Sequence, residues 1–381
     1  MSAVWADDAQ TMFAASVERF VTQTYTFEHR RHRLKTGDPD RRDWRQIAEL
    51  GWLGLPFPED VGGFGGSWQD VALLMRYFGR ALVVEPYLPG VVLSGGLIAS
   101  LGDGAQRQRY LPPLIDGSVQ LALAHETGTL RARAEGDGLI LQGHAAMVWG
   151  GATAEAFVVA ARLTGDLGQD TDDIAIAVVE CDSPGLAVTG FPTVDGHQAA
   201  SIRLTDVRVP PDRLLTRDGA RALNWTLDLG AAMVCAEGIG VMDVLFEDTL
   251  AYLKDRRQFG KPLASHQALQ HRLVDMHALW QEAVGMAAMA VQALDAPGTR
   301  DDVSAREMAV SSAKVHVAGA LRQLGQEAVQ LHGAIGVTDE FHISHYFKRA
   351  TSLSLQHGDI DHHRRRCGEL LKRHHTKTTS P

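Results

Sequence analysis

Cysteine is scarce in this 381-residue chain: there are three, Cys181, Cys235 and Cys367, far apart and outside any CxxC pattern. An odd number so spaced supports neither a disulfide framework nor a zinc site, and a reducing compartment fits best. Positive charge is also in deficit. Lys and Arg number 37 against 46 Asp and Glu, a net charge of −9, which argues against a surface that tracks nucleic-acid phosphates. The opening stretch MSAVWADDAQ is acidic and lacks the apolar core of a secretory signal, so no export is expected and the cytoplasm is the expected location. No apolar run reads as long enough to span a bilayer. What is present is ordinary for a globular protein: 45% hydrophobic and 22% charged residues, in a chain long enough for two or three domains and a large core.

Three textures follow one another. Up to about Gly117 the pattern is helical and broken by Gly and Pro. Val17, Phe20 and Val21 make one apolar stripe, and Trp44, Ile47, Leu50 and Leu53 make another. From about Val119 to Pro211, short runs rich in apolar and β-branched residues recur: Leu139 to Leu141, Ala156 to Ala160, Ile174 to Val179, Leu186 to Thr189 and Ile202 to Val209. Turns such as Gly136-Asp137-Gly138 and Ser183-Pro184-Gly185 separate them, as in a small β-barrel or sandwich. After Asp212 long helices return. Leu223, Leu227, Val234, Val241 and Leu245 share one face. Leu269, Leu273, Met276 and Trp280 define a second helix that stops before Pro297-Gly298. A third opens with a capping box, Ser304 to Glu307, and runs to about Leu331. The expected fold is mainly α with a β insert: an N-terminal helical domain (1–118), a central β-domain (119–214) and a C-terminal four-helix bundle (215–381).

Four segments, in order and spread over nearly the whole chain, then carry a resemblance. Pro58 to Gly63 reads as a PExxGG turn and Asp206 to Pro210 as a DVxVP strand. Asp255 to Gln267 fits RxxFG…HQ. Gln330 to Gly336 fits QxxGGxGY, with Ala334 for the second Gly and Val337 for Tyr. Together they resemble the acyl-CoA dehydrogenase family, whose helix–β–helix layout is the one inferred here. That resemblance implies FAD as cofactor, an acyl-CoA thioester as substrate, 2,3-dehydrogenation as the reaction, and electron-transfer flavoprotein as acceptor.

The chemistry says which residues matter. A thioester acidifies its α-proton only modestly, so a carboxylate is needed on one face of the Cα–Cβ bond. The flavin accepts the β-hydride on the other face, and the enolate oxygen needs positioned donors. The flavin's ADP end is held from the neighbouring subunit in this family. By resemblance Arg256 would hold the pyrophosphate and Phe259 would pack on the cofactor. Gln258 stands where the family often has a hydroxyl donor. Gln267, Gln330 and the Gly333-Ala334 backbone would complete the neighbour's site.

The reacting end departs from the family. Its YEGT segment falls on Gln356-His-Gly-Asp359, so His357 occupies the base position. The alternative position, near the start of the long helix, is Gly230, followed by Ala231. The TEP segment reads Ala124-His-Glu-Thr127, and the WIT triplet falls on Met147-Val-Trp149, without the usual hydroxyl. Anchors for a neighbour's FAD are kept while residues for this chain's own chemistry are altered. The chain thus resembles the base-less subunits of heteromeric enzymes, including those of pimeloyl-CoA and steroid side-chain degradation, and implies a base-bearing partner in an α2β2 assembly.

Other readings stay open. His357 is itself a candidate base, since a neutral imidazole titrates in the right range, and Asp359 is a lesser one. A self-sufficient homomer would use one of these; a non-catalytic acyl-CoA-binding or structural paralogue would use neither. His357, Asp359, Asp361, His362 and His363 include zinc and manganese ligand types but lack closed-site spacing, so a solvated turn entering a basic helix is expected and no metal. Gly62 to Gly66 lacks the Lys-Ser/Thr ending of a phosphate loop and is expected to be a turn ahead of a helix near Ser67.

Overall fold

The computed structural model describes residues 8–38, 40–126, 128–164, 170–295 and 303–379. Six helices come first: α1 (Asp8–Gln23), α2 (Phe27–Thr36), α3 (Arg42–Glu49), α4 (Trp68–Ala81), α5 (Gly96–Leu101) and α6 (Gly104–Ile115). Eight strands follow: β1 (Leu121–Ala124), β2 (Arg131–Glu135), β3 (Gly138–Trp149), β4 (Ala156–Thr164), β5 (Asp170–Glu180), β6 (Leu186–Pro192), β7 (Gln198–Val209) and β8 (Leu214–Thr216). Then come α7 (Ala220–Asp255), a hairpin of β9 (Arg257–Gln258) and β10 (Lys261–Pro262), and four more helices: α8 (Gln267–Asp295), α9 (Val303–His332), α10 (His342–Leu355) and α11 (Ile360–Thr379). A helical N-terminal part, a central sheet and a C-terminal helical bundle are therefore all present. By contacts the chain forms two compact units, one of Met1–Gly37, Ser67–Val83 and Ala231–Pro381, the other of Asp38–Gly66 and Val84–Gly230.

In the second unit the strands make one sheet in the order β6-β7-β3-β2-β4-β5-β8, with β1 added parallel to β4. Alternate residues of its strands, among them Leu139, Leu141, Phe157, Val159, Ala177, Ile202 and Leu204, share one buried core, as the period-2 pattern requires. All five apolar runs singled out in the sequence lie in strands. The turn Gly136 to Gly138 links β2 to β3, and Ser183 to Gly185 links β5 to β6. Strands β1, β2 and β8 are additional.

In the first unit α7, α8 and α9 are long because no proline interrupts them. Two glycines let α4 cross α7 at backbone contact. A Cβ on Gly240 would lie 1.8 Å from the Arg76 carbonyl oxygen, and one on Gly79 would lie 2.1 Å from that of Glu237. Beside the crossing, Arg76 pairs bidentately with buried Asp243, at 2.8 and 2.9 Å, and Trp280 Nε1 donates to the same carboxylate.

Three local expectations need correction. Helix α3 stops at Glu49, so Leu50 is exposed and Leu53 is buried in the next turn rather than on the same helix. Ser304 is not the cap of α9, which already includes Val303; Glu307 instead pairs with Arg366 at 3.1 Å. Pro297-Gly298 lies outside the described residues. Finally, α7 is long and apolar enough to cross a bilayer, contrary to the reading of the sequence. Its most apolar window is 89% buried within the protein, the environment of a core helix.

Candidate functional site

Helix α7 delivers Arg256 to the surface, and the hairpin that follows carries Gln258 and Phe259. Lys261 pairs with Gln258, which leaves Phe259 and Gly260 as a two-residue turn. Their φ values, 52° and 79°, are both positive, as in the primed turns that fit strand twist. For Gly260 this costs nothing. For Phe259 it is unfavourable by roughly 1 kcal/mol, and the ring is left 90% exposed. Arg256, Gln258 and Gln267 are also exposed, and among the described residues the Arg256 guanidinium has no partner.

The second segment expected to anchor the cofactor leaves the C-terminus of α9. Gln330 is exposed, His332 ends the helix, and Gly333 has φ of 66°. A Cβ at Gly333 would meet open space, so the left-handed backbone, rather than crowding, calls for glycine there. Ala334 is exposed as well, and beyond it Ile335 and Val337 expose 43% and 69% of their surface. A free guanidinium, side-chain amides, an uncovered aromatic ring and an open glycine turn suit a dinucleotide tail with its pyrophosphate. The residues present fit FAD.

The base position is built differently. α10 ends at Leu355 and α11 begins at Ile360. The link between them turns through His357 and Gly358, both left-handed, with φ of 53° and 95°. Lys314 of α9, 1% exposed, donates its ammonium to the carbonyl oxygens of Leu353, Ser354 and Gly358 at 3.0, 3.2 and 3.0 Å. His363, also 1% exposed, donates Nε2–H to the His357 carbonyl at 2.9 Å. Burial depresses the pKa of both donors, His363 to about 4. These donors fix the turn, from which the half-buried His357 side chain emerges. Asp359 caps α11, its Oδ1 accepting the His362 N–H at 2.8 Å. That bond holds its carboxyl below its usual pKa, and orients it toward the helix rather than outward. His363 is thus a core residue, not part of a solvated turn. No group of three or more metal-ligating side chains occurs among the described residues.

Gly230 is buried within α7 and offers no side chain. The nearest acids on that helix are Asp228 and Glu237, both buried. Asp228 is two residues away and so faces another direction. Glu237 is engaged by Arg349 at 2.6 and 2.8 Å. On the sheet, Glu126 Oε1 accepts the Met147 backbone N–H at 3.0 Å; Thr127 lies outside the described residues. Val148 points into the core while Met147 is 43% exposed, so the Met147–Trp149 triplet supplies no hydroxyl. Gly62 to Gly66 does not cradle an anion: the amides of Gly63, Phe64, Gly65 and Gly66 donate inward to Pro58, Gly54, Phe57 and Leu55.

Sequence reasoning passed over Lys314 and placed His363 in a solvated turn. A signal existed for the lysine, since Val310, Lys314, Val317, Leu321 and Leu324 recur at core spacing and all are buried.

Comparison with known proteins agrees with this layout. Residues 7–118 match the acyl-CoA dehydrogenase N-terminal domain, and residues 217–371 match the acyl-CoA dehydrogenase C-terminal domain. The chain belongs to the acyl-CoA dehydrogenase family, FAD-binding oxidoreductases. Acyl-CoA dehydrogenase FadE27 of Mycobacterium tuberculosis is 28% identical over 93% of this chain and 95% of its own length. Among solved structures, the ChsE4-ChsE5 complex from Mycobacterium tuberculosis superposes with a TM-score of 0.87 at 26% identity, covering 99% of each chain. A Tcur3481-Tcur3483 steroid ACAD variant gives 0.85 at 28% identity, covering 97% of this chain and 99% of that one.

Proposed function

We propose that this chain is the base-less subunit of a heteromeric acyl-CoA dehydrogenase and helps to hold the FAD of a base-bearing homologue, in an α2β2 assembly. The observation that carries this reading is a contrast within one unit. Arg256 stands exposed and uncommitted and the Phe259 ring is exposed but for an edge contact with His266 at 6.5 Å, while the base position, set in a rigid turn, holds His357 instead of a carboxylate. When bound, FAD supplies the hydride acceptor at the partner's catalytic centre. Arg256 would bind the pyrophosphate, and Phe259 would cover the cofactor and exclude water. Gln258, Gln267, Gln330 and the Gly333-Ala334 backbone would donate or accept hydrogen bonds at the adenosine end. No carboxylate of this chain stands at Gly230 or at residue 357 to take the α-proton, so that step belongs to the partner.

The heteromeric and steroid-related neighbours favour bulky acyl-CoA thioesters as substrates; electron-transfer flavoprotein as acceptor rests on the family resemblance, and the cytoplasm as location on the reading of the sequence. The test is co-purification with a base-bearing homologue. The isolated chain is expected to be colourless and inactive, and the complex yellow and active, with flavin lost on Arg256→Ala in this chain. Dehydrogenation of acyl-CoA by the isolated chain at rates usual for the family would overturn the reading and favour His357 as base. A chain that takes up no flavin in either state would be a structural paralogue.

A further inference from the structure

Arg256 and Gly333 lie far apart in sequence, yet one contact joins the residues directly behind them. Tyr252 sits one helical turn before Arg256 and accepts its backbone N–H at 2.8 Å. The Tyr252 ring stacks on His332, with centroids 4.4 Å apart and planes inclined by 30°. Its hydroxyl reaches toward the His332 carbonyl oxygen at 3.4 Å. His332 immediately precedes Gly333. It is buried, and its Nδ1–H donates to the Ala328 carbonyl at 2.8 Å, which fixes both ring plane and tautomer. Burial depresses its pKa, which favours the neutral ring. Phe341 covers it at 5.4 Å, and one turn further back on α7 Asp248 accepts from His342 Nε2 at 2.6 Å.

The His332 Nε2 is buried without a hydrogen-bond partner among the described residues. For packing alone this is a poor arrangement, because an orphaned polar atom is destabilising and an aliphatic side chain would avoid it. A flat ring tied to its own helix does something an aliphatic group does not: it fixes the distance between two helix ends.

We propose that Tyr252 and His332 are positioning residues, a joint that holds Arg256 and the Gly333-Ala334 turn at the separation a dinucleotide tail requires. The inference rests on the anchoring role assigned above. It is tested by measuring flavin dissociation from the co-purified complex by fluorescence. Tyr252→Leu and His332→Gln are each expected to raise the flavin dissociation constant about tenfold, with the circular dichroism spectrum and subunit stoichiometry unchanged. Tyr252→Phe, which keeps the stack, is expected to stay within about twofold. Arg256→Ala reports on the underlying role. If it weakens flavin binding while Tyr252→Leu and His332→Gln do not, the joint is wrong and the anchor stands. The joint is equally wrong if Tyr252→Phe loses as much as Tyr252→Leu. If Arg256→Ala changes nothing, the anchoring role fails and the joint with it. Should Tyr252→Leu not assemble, His332→Gln against Tyr252→Phe decides by the same criteria.

Discussion

His363 donates its Nε2 proton to the carbonyl oxygen of His357 from a buried position, and that burial gives the core a dependence on pH. Burial lowers the His363 pKa from 6.5 to about 4 in the folded chain. Between those values the unfolded chain takes up a proton that the folded chain refuses, so stability is full above pH 6.5 and is lost as pH falls toward 4. The expected loss is on the order of 3 kcal/mol. Urea unfolding at pH 7 and pH 4.5 measures it, and His363→Gln should flatten this part of the profile.

Lys314 holds three carbonyl oxygens from one buried ammonium. Lys314→Met leaves those acceptors without a donor and is expected to cost about 2–4 kcal/mol, after allowing for the desolvation that the charge no longer bears. A shift in denaturation midpoint at unchanged slope is the expected reading. An unchanged midpoint would show that water takes over the role.

His357 separates the two catalytic readings. Asparagine tolerates a left-handed backbone, so His357→Asn keeps the turn while removing the imidazole. With the partner supplying the base, kcat of the complex should stay within about twofold. A working general base is worth about 10²–10⁴-fold, and a drop of that size would assign the proton transfer to His357.

The glycines of the first unit differ sharply in tolerance. Gly240→Ala would drive a methyl group to 1.8 Å from the Arg76 carbonyl oxygen and force α4 off α7, at a cost of about 3 kcal/mol or more. Gly285 lies exposed in α8 with open space where a Cβ would go, so Gly285→Ala should stabilise by roughly 0.5–1 kcal/mol. Thermal melts of the two variants should move in opposite directions.

Periodicity made the large elements legible, because apolar spacing follows from the geometry of helices and strands. Ser67 announced its helix correctly and forms a full capping box with Asp70. What sequence did not yield depends on three-dimensional closure. Leu50 and Leu53 continue a helical spacing past the point where Gly51, with φ of 80°, ends the helix. The apolar run of α7 has the composition of a membrane span, and only the helices packed around it make it a core element. His363 was read with its charged neighbours as solvated, though its ring turns inward while Arg364 and Arg365 remain exposed. The RxxFG…HQ motif was legible as a pattern. That its aromatic sits on a two-residue primed turn was not, since Phe is a poor residue for positive φ and gives no turn signal.

That turn bears on how a cell must handle this polypeptide. On the proposed heteromeric reading, a phenyl ring held out on a strained hairpin, with Val337 also uncovered beyond the Gly333-Ala334 turn, is a sticky feature for any molecule made in excess of its mate. Synthesis matched one-to-one with the mate would hide these groups at birth, whereas overproduction alone would favour self-association over a clean monomer.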